Sequence, residues 1–394
     1  MTLAPDPHPS VPPVRPRVRR AFAILGGGAL LALAAVIGMG WVMIALSWPH
    51  TEPLGDPAFG INYSCNHAEF LLLEDPGGPH IPDERPGRAA WCAETLGRLH
   101  DELGFEYARI SVEWAEVEPI EGQFDFRALD AMLAEAERRG FSVLLTVGMK
   151  AQRHPEYYLP GWLLARVDLP AHAVVSDDPI VREAALRMAR ALLEHTAASP
   201  AIDAWGAENE PYVPSKRANR WVLEQAYIKD LVALIRTLDP GGRPVVINQG
   251  QHFVFDRFEK RWRQAIEDAD VLAVSLYPFR NFEVLGIPMV VPIVELGPFA
   301  PNYAYQAREA RAAGDEYWIT EMQAEPWTDH DARLLSPENP SANLDAARFR
   351  KNIEYARRTG ASRVYLWGAE WWLMQAERYG DPTWLALARE AIAP

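Results

Sequence analysis

Short apolar runs recur along this chain, separated by longer stretches with helical periodicity. The runs Phe59–Tyr63, Tyr107–Val112, Ser142–Val147, Ile202–Ala207, Pro244–Asn248, Val271–Tyr277, Tyr317–Glu321 and Arg363–Trp367 predict strands. Punctuation between them predicts helices. Asp125 is placed to cap a helix carrying Leu129, Met132, Leu133 and Ala136 on one face, with Gly140 ending it, and Gly104, Gly314 and Gly360 repeat the Gly140 role. Asp178-Pro179 predicts the start of a helix that runs to near Ala198. Eight strands alternating with helices predict a (β/α)8 TIM barrel over 59–394. A doubly wound open sheet is the competing α/β reading. It would usually place a glycine-rich turn after its first strand, and Gly60-Ile61-Asn62-Tyr63-Ser64 offers none.

Two of the predicted strands run into carboxylates. One leads into Asn209-Glu210-Pro211, and another ends at Glu321. An ionised glutamate is costly to bury unless something holds it, so the pair suggests two acids facing one pocket. In a barrel the C-terminal strand ends share a face. Here they supply Asn62, Arg109 with Trp114, Lys150, Asn209-Glu210, Asn248-Gln249, Tyr277, Glu321, and Trp367 with Glu370. Aromatic faces for the C–H faces of a sugar, with acids and amides for its hydroxyls, make this ring suited to carbohydrate. Gln323, Glu325, His67 and His154 are weaker candidates, and the direction of Glu208 is open.

Ahead of the barrel the pattern changes. Residues 1–20 hold six prolines and Arg15, Arg17, Arg19 and Arg20, which reads as a disordered basic cytoplasmic tail. Residues 21–48 contain no charged side chain, longer than the roughly 20 residues that cross a bilayer. This predicts an uncleaved transmembrane signal anchor, with a cleaved signal ending near Ala45-Leu46-Ser47 as the alternative. The arginines should stay inside, so a short stem at 49–58 and the barrel would be extracytoplasmic at the cell membrane. The whole chain of 394 residues carries a net charge of −14, which argues against nucleic acid as a partner. Cys65 and Cys92 are the only cysteines, either a disulfide or two small buried residues.

The residues quoted above resemble the clan A glycoside hydrolases, the retaining (β/α)8 superfamily of β-glucosidases, β-galactosidases and cellulases. Arg109-Ile110-Ser111-Val112-Glu113-Trp114 is similar to a second-strand run of family 1 β-glucosidases. The resemblance implies Glu210 as acid/base, Glu321 as nucleophile and Asn209 as the amide holding the 2-hydroxyl. It also implies that Tyr277 and Arg109 contact the nucleophile, that Trp367 is a sugar platform, and that Glu370 binds a sugar hydroxyl. Trp114, Lys150 and Gln249 complete the expected substrate-binding set. Met149-Lys150-Ala151-Gln152-Arg153-His154-Pro155 departs from the family 1 pattern.

Retaining hydrolysis uses two carboxyls about 5–5.5 Å apart, whose pKa values must be pushed apart. Arg109 would keep Glu321 charged, while Glu210, lacking a cation, would hold its proton. Each group has a structural alternative: a strand-end Glu can cap a helix, and Arg109 can pair with Glu106 or Glu116. The expected activity is hydrolysis of β-glycosides in an oligosaccharide, polysaccharide or glycoconjugate, by a monomer with no cofactor and no metal. A silent glycan-binding barrel, or a transglycosidase acting on envelope glycans, is the alternative. The apolar stretch 282–301 is expected either to lean on the membrane or line an acceptor site, or else to fold over the barrel.

Overall fold

The computed structural model describes residues 16–47, 56–78, 85–214, 218–250, 260–284, 287–295, 303–327, 331–341 and 343–393. The chain divides into two compact units, Met1–Trp48 and Pro49–Pro394.

The first unit holds one helix, Pro16–Ser47. Side chains along it are described for 27–42, where Leu30, Leu31, Leu33, Val36, Ile37 and Met39 are exposed. Among the described residues no helix is long and apolar enough to cross a membrane. The anchor expected at 21–48 therefore gains no support from the structure. The stretch 27–42 is shorter than the roughly 20 residues a crossing takes, and the rest of the expected span lies outside the described side chains. Most of the expected tail, 1–15, and most of the stem lie outside the described residues altogether.

The second unit is the barrel. Its strands are β1 (Ala58–Tyr63), β2 (Tyr107–Ser111), β3 (Ser142–Val147), β4 (Ile202–Ala207), β5 (Val245–Gln249) and β6 (Val271–Leu276). A hairpin of β7 (Phe279–Val284) and β8 (Ile287–Pro292) follows, and then β9 (Glu316–Gln323) and β10 (Arg363–Trp367) complete the ring. The parallel barrel closes in the order β1-β10-β9-β6-β5-β4-β3-β2. No open edge remains, which excludes the doubly wound sheet.

Successive strand residues face opposite sides, so each strand feeds two cores. Leu144, Ala204, Val246, Ala273, Trp318 and Tyr365 pack together in one small cluster, the barrel interior. Ile61, Leu145, Trp205, Ile247, Ile319 and Leu366 join the larger cluster shared with the helices. A glycine is needed at 60, where a Cβ would lie 2.3 Å from the carbonyl oxygen of Tyr107.

The helix signals were partly realised. Asp178 caps the helix Pro179–Thr196 by accepting from the amides of Ile180 and Val181. Asp125 lies one residue ahead of the cap position: that helix starts at Arg127 after Phe126, and the Asp125 carboxylate accepts from the Arg127 amide at 3.1 Å as well as pairing with its guanidinium. The stretch after β6 is a hairpin and not a loop. Ile293 and Val294 beyond it are buried in the main core, Val291 packs against that core, Val290 is half-buried and Met289 is exposed, so the end of this apolar run packs on the barrel. Residues 285–286 and 296–301 of the stretch are outside the described residues.

Cys65 and Cys92 form a disulfide with their Cα atoms 5.3 Å apart, tying the helix Cys65–Leu72 to the helix Arg88–Leu103. The cysteines are 27 positions apart. Closing a loop of that length removes about 3.5 kcal/mol of unfolded-chain entropy on the chain-entropy account. A Cys65→Ser, Cys92→Ser double variant is expected to lose stability of that order. A lower denaturant midpoint is the readout, with a slope that rises as the uncrosslinked unfolded chain exposes more surface.

Candidate active site

The carboxylate of Glu321 points into the barrel mouth because β9 is irregular. Trp318 lies in the inner core and Ile319 in the outer one. Strict alternation would then send Thr320 inward and Glu321 outward. The ladder slips at this point. Val274 pairs with Ile319, but the next residue, Ser275, pairs with Glu321. On the other side Val364 pairs with Ile319 and Leu366 with Met322. The extra residue of this bulge re-aims the side chain, as bulges beside functional sites commonly do. Met322 consequently packs in the outer core. The strand also runs on to Gln323, two residues past the end expected from sequence.

Each oxygen of Glu321 has its own donor. Arg109 Nη1 lies 3.1 Å from Oε1, and the Tyr277 hydroxyl donates to Oε2 at 2.7 Å. Arg109 Nη2 donates to Asn209 Oδ1 at 2.8 Å, so one buried guanidinium joins β9 to the turn after β4. Among the described residues its partners face the barrel centre, and Glu106 and Glu116 are not among them.

Glu210 is positioned by that turn. After Ala207 the chain passes through Glu208 at φ 64° and Glu210 at φ 42°, left-handed conformations uncommon for residues other than glycine. The Glu208 carboxyl holds the turn down. It accepts from the amides of Met149 (2.9 Å) and Lys150 (2.7 Å) and from the Tyr227 hydroxyl (2.6 Å). Only glycine fits at 148, since a Cβ there would lie 2.1 Å from that carboxyl. Glu208 is thus a scaffold group. The Glu210 amide donates to Asn248 Oδ1 at 2.9 Å, and Lys150 Nζ donates to the Glu210 carbonyl at 2.9 Å. The Glu210 carboxyl itself accepts from Ser275 Oγ at 2.5 Å. Ser275 is the ladder partner of Glu321, and adjacent strands run about 4.8 Å apart. The two acids therefore converge on neighbouring positions of one rim.

Their surroundings differ. Burial, and then the charge of Glu321, push the Glu210 carboxyl up to about 7, against the pull of Lys150 and the Ser275 hydroxyl. Lys150 is thus the cation that sequence reasoning denied to Glu210. Burial and the nearby Glu321 charge likewise raise Tyr277 well above an ordinary phenol. Removing the ammonium in Lys150→Met is expected to move the Glu210 titration further up. A basic limb of the pH–rate profile displaced to higher pH is the check.

Several expected substrate ligands are engaged elsewhere. Lys150 has no exposed side-chain surface and spends its ammonium on the carbonyls of Glu210 and Val213 and on Glu156. It positions the turn. Trp114 is fully buried, with its indole N–H donating to Glu118 at 2.6 Å. Gln249 is buried with neither atom of its side-chain amide hydrogen-bonded among the described residues, and alternation points it away from the rim; its neighbour Asn248 turns inward to Asn209 and Glu210. Trp367 does face the site, but the Arg153 guanidinium lies 3.9 Å from its ring centroid. Glu370 is fully buried, accepting from the Ser64 amide at 2.7 Å and pairing with Arg153 at 2.5 Å.

Ser275, Arg153 and Trp327 were missed. The Trp327 ring stacks on Tyr277 at 5.0 Å. Ser275 had a signal, since it lies two positions before Tyr277 on a strand side that alternation assigns to the interior. Arg153 and Trp327 sit in irregular segments, where sequence gives no direction.

Comparison with known proteins bears on this geometry. Residues 88–229 match the glycoside hydrolase family 42 model, described as beta-galactosidase. That is a little over a third of the chain, taking in Glu210 and stopping short of Glu321. The beta-galactosidase BbgII of Bifidobacterium bifidum is 29% identical over 145 residues, 34% of this chain and 20% of that protein. The chain therefore spans about a fifth of that relative's length. Among solved structures, a beta-galactosidase from the psychrophilic Marinomonas ef1 matches with a TM-score of 0.53 at 17% identity, over 78% of this chain and 53% of that one. GH5_18 from Streptomyces cattleya in complex with GlcNAc matches with a TM-score of 0.53 at 15% identity, over 86% and 80%. At such identities the structural matches speak for the fold.

Proposed function

We propose, on the premise that this chain is a clan A glycoside hydrolase, that it is a retaining β-glycosidase working by double displacement. The observation that carries the reading is the unequal setting of two carboxyls on one rim. Glu321 has a guanidinium on one oxygen and a phenol on the other, whereas Glu210 is pushed up to about 7 by burial and by Glu321. In the first step a Glu321 oxygen bonds to the anomeric carbon as the glycosidic C–O bond breaks, and Glu210 gives its proton to the departing oxygen. In the second, Glu210 takes a proton from water as that water bonds to the anomeric carbon and the bond to Glu321 breaks. Asn209, oriented by Arg109 and Asn248, is assigned to the sugar's 2-hydroxyl.

The family 42 match makes β-galactosides the first substrates to try. The test is incubation with 2-deoxy-2-fluoro β-glycosyl fluorides, beginning with the galactosyl compound. Mass spectrometry is expected to find the label on Glu321. A product of inverted anomeric configuration, seen by NMR, would refute the mechanism.

The proposal includes an uncleaved N-terminal anchor that holds the barrel outside the cell membrane. Support comes from the uncharged stretch 21–48 behind four arginines. On a helix the apolar residues at 30, 31, 33, 36, 37 and 39 of that stretch would fall on all sides, a sequence pattern that calls for an apolar environment. The disulfide fits an oxidising compartment. Release of the protein from membranes by alkaline carbonate would overturn this part.

A further inference from the structure

We propose that Arg280 and Trp327 form a binding site for an anionic group carried by the substrate glycan, beside the reaction centre. The inference rests on the glycosidase reading and names the class of substrate. Trp327 stacks on Tyr277 with ring centroids 5.0 Å apart and planes at 25°, and the Tyr277 hydroxyl touches Glu321. Trp327 is 41% exposed despite its place next to that centre. Its backbone is fixed from two sides, since the side-chain amides of Asn281 and Asn343 both donate to the Trp327 carbonyl. An open, immobilised indole here is a surface for the C–H face of a sugar ring.

Arg280 adds the charge. Its guanidinium carbon lies 5.1 Å from the Trp327 ring centroid, and Arg280 projects from the first strand of the hairpin that follows β6. Its Nε is buried without a hydrogen-bond partner, and among the described residues no carboxylate pairs with the guanidinium. At a net charge of −14, guanidiniums elsewhere around the barrel mouth are taken up by acids, as Arg109 is by Glu321 and Arg153 by Glu325 and Glu370. A half-buried arginine with no acid paired to it among the described residues is a poor structural element, and the outer edge of its guanidinium is suited to receive a carboxylate or phosphate. With the indole alongside, the group it receives is one attached to a sugar: the carboxylate of a uronic acid or a sugar phosphate.

The test is calorimetric binding to the full chain in detergent, with sulfur-linked β-disaccharides that resist cleavage. Three probes share one scaffold and end in glucose, glucuronic acid or glucose 6-phosphate. At least one acidic probe is expected to bind about 10-fold tighter than the neutral one, as a charge-assisted hydrogen bond would give. The better of the two identifies the anion. In Arg280→Gln the ratio of acidic to neutral affinity is expected to fall to about one, and Arg280→Lys is expected to retain part of it. Near-equal affinity of all three probes for the natural chain, absence of binding by any, or an unchanged ratio in Arg280→Gln would overturn the proposal. Because the readout is binding, its failure is separable from failure of the double-displacement reading, which the Glu321 label decides.

Discussion

Replacing Glu321 by Gln is expected to abolish turnover of β-glycosides, with kcat lowered on the order of 10⁴- to 10⁶-fold, the range found when a covalent catalytic group is removed. The amide keeps the shape of the side chain and can still accept one hydrogen bond, but it is too weak a nucleophile to capture the anomeric carbon. Arg109 and Tyr277 both aim at this group, so their donors would remain in place around an inert residue. A smaller residue separates chemistry from folding. Glu321→Gly supplied with azide should form the α-glycosyl azide, since the small anion enters from the side the carboxylate vacated. Turnover of Glu321→Gln within about tenfold of the natural chain would remove this residue from the reaction.

Glu210→Gln should behave differently, and the leaving group is the diagnostic. For alkyl glycosides, whose departing oxygen needs a proton, kcat/KM should fall by roughly 10²- to 10⁴-fold, the usual contribution of general acid catalysis. For a dinitrophenyl glycoside, which leaves unaided, kcat/KM should change little, while kcat falls because water attacks the glycosyl-enzyme without a base. The pH dependence follows from the same group. A carboxyl pushed up to about 7 is protonated below that value and ionised above it. The natural chain should therefore lose kcat/KM on alkyl glycosides as pH rises through about 7, and that limb should vanish in Glu210→Gln. A limb unaltered by the substitution would assign the titration to another residue.

Much of the barrel could be read before any coordinates. The eight predicted strands correspond to β1 to β6, β9 and β10 with ends displaced by at most two residues, because each is a run of apolar residues cut off by glycine, proline or charge. The sequence ring also contained the residues that meet at the rim: Asn62, Arg109, Asn209, Glu210, Asn248, Tyr277 and Glu321. It failed where direction mattered. Asn248 and not Gln249 reaches Asn209 and Glu210, the Trp114 indole donates to Glu118, and the Lys150 ammonium holds the carbonyls of Glu210 and Val213. Glu208 and Glu210, two positions apart, could not be told apart. The left-handed turn between β4 and its helix sends one into the scaffold and the other to Ser275.

The order of strands and helices, the availability of two cysteines and the presence of two acids at strand ends were fixed by local chemistry. Hydrophobic period, turn residues and residue type act over a few neighbours, and a linear reading captures them. The aim of Glu321 was not fixed that way, because the slip in β9 is defined only against Ser275 and Leu366 on the strands to either side. Nor was the cover of Arg153 on Trp367, or the placing of the Arg280 guanidinium over Trp327. Those contacts join residues tens to hundreds of positions apart, and they exist only once the ring has closed and set each strand's register against its neighbours.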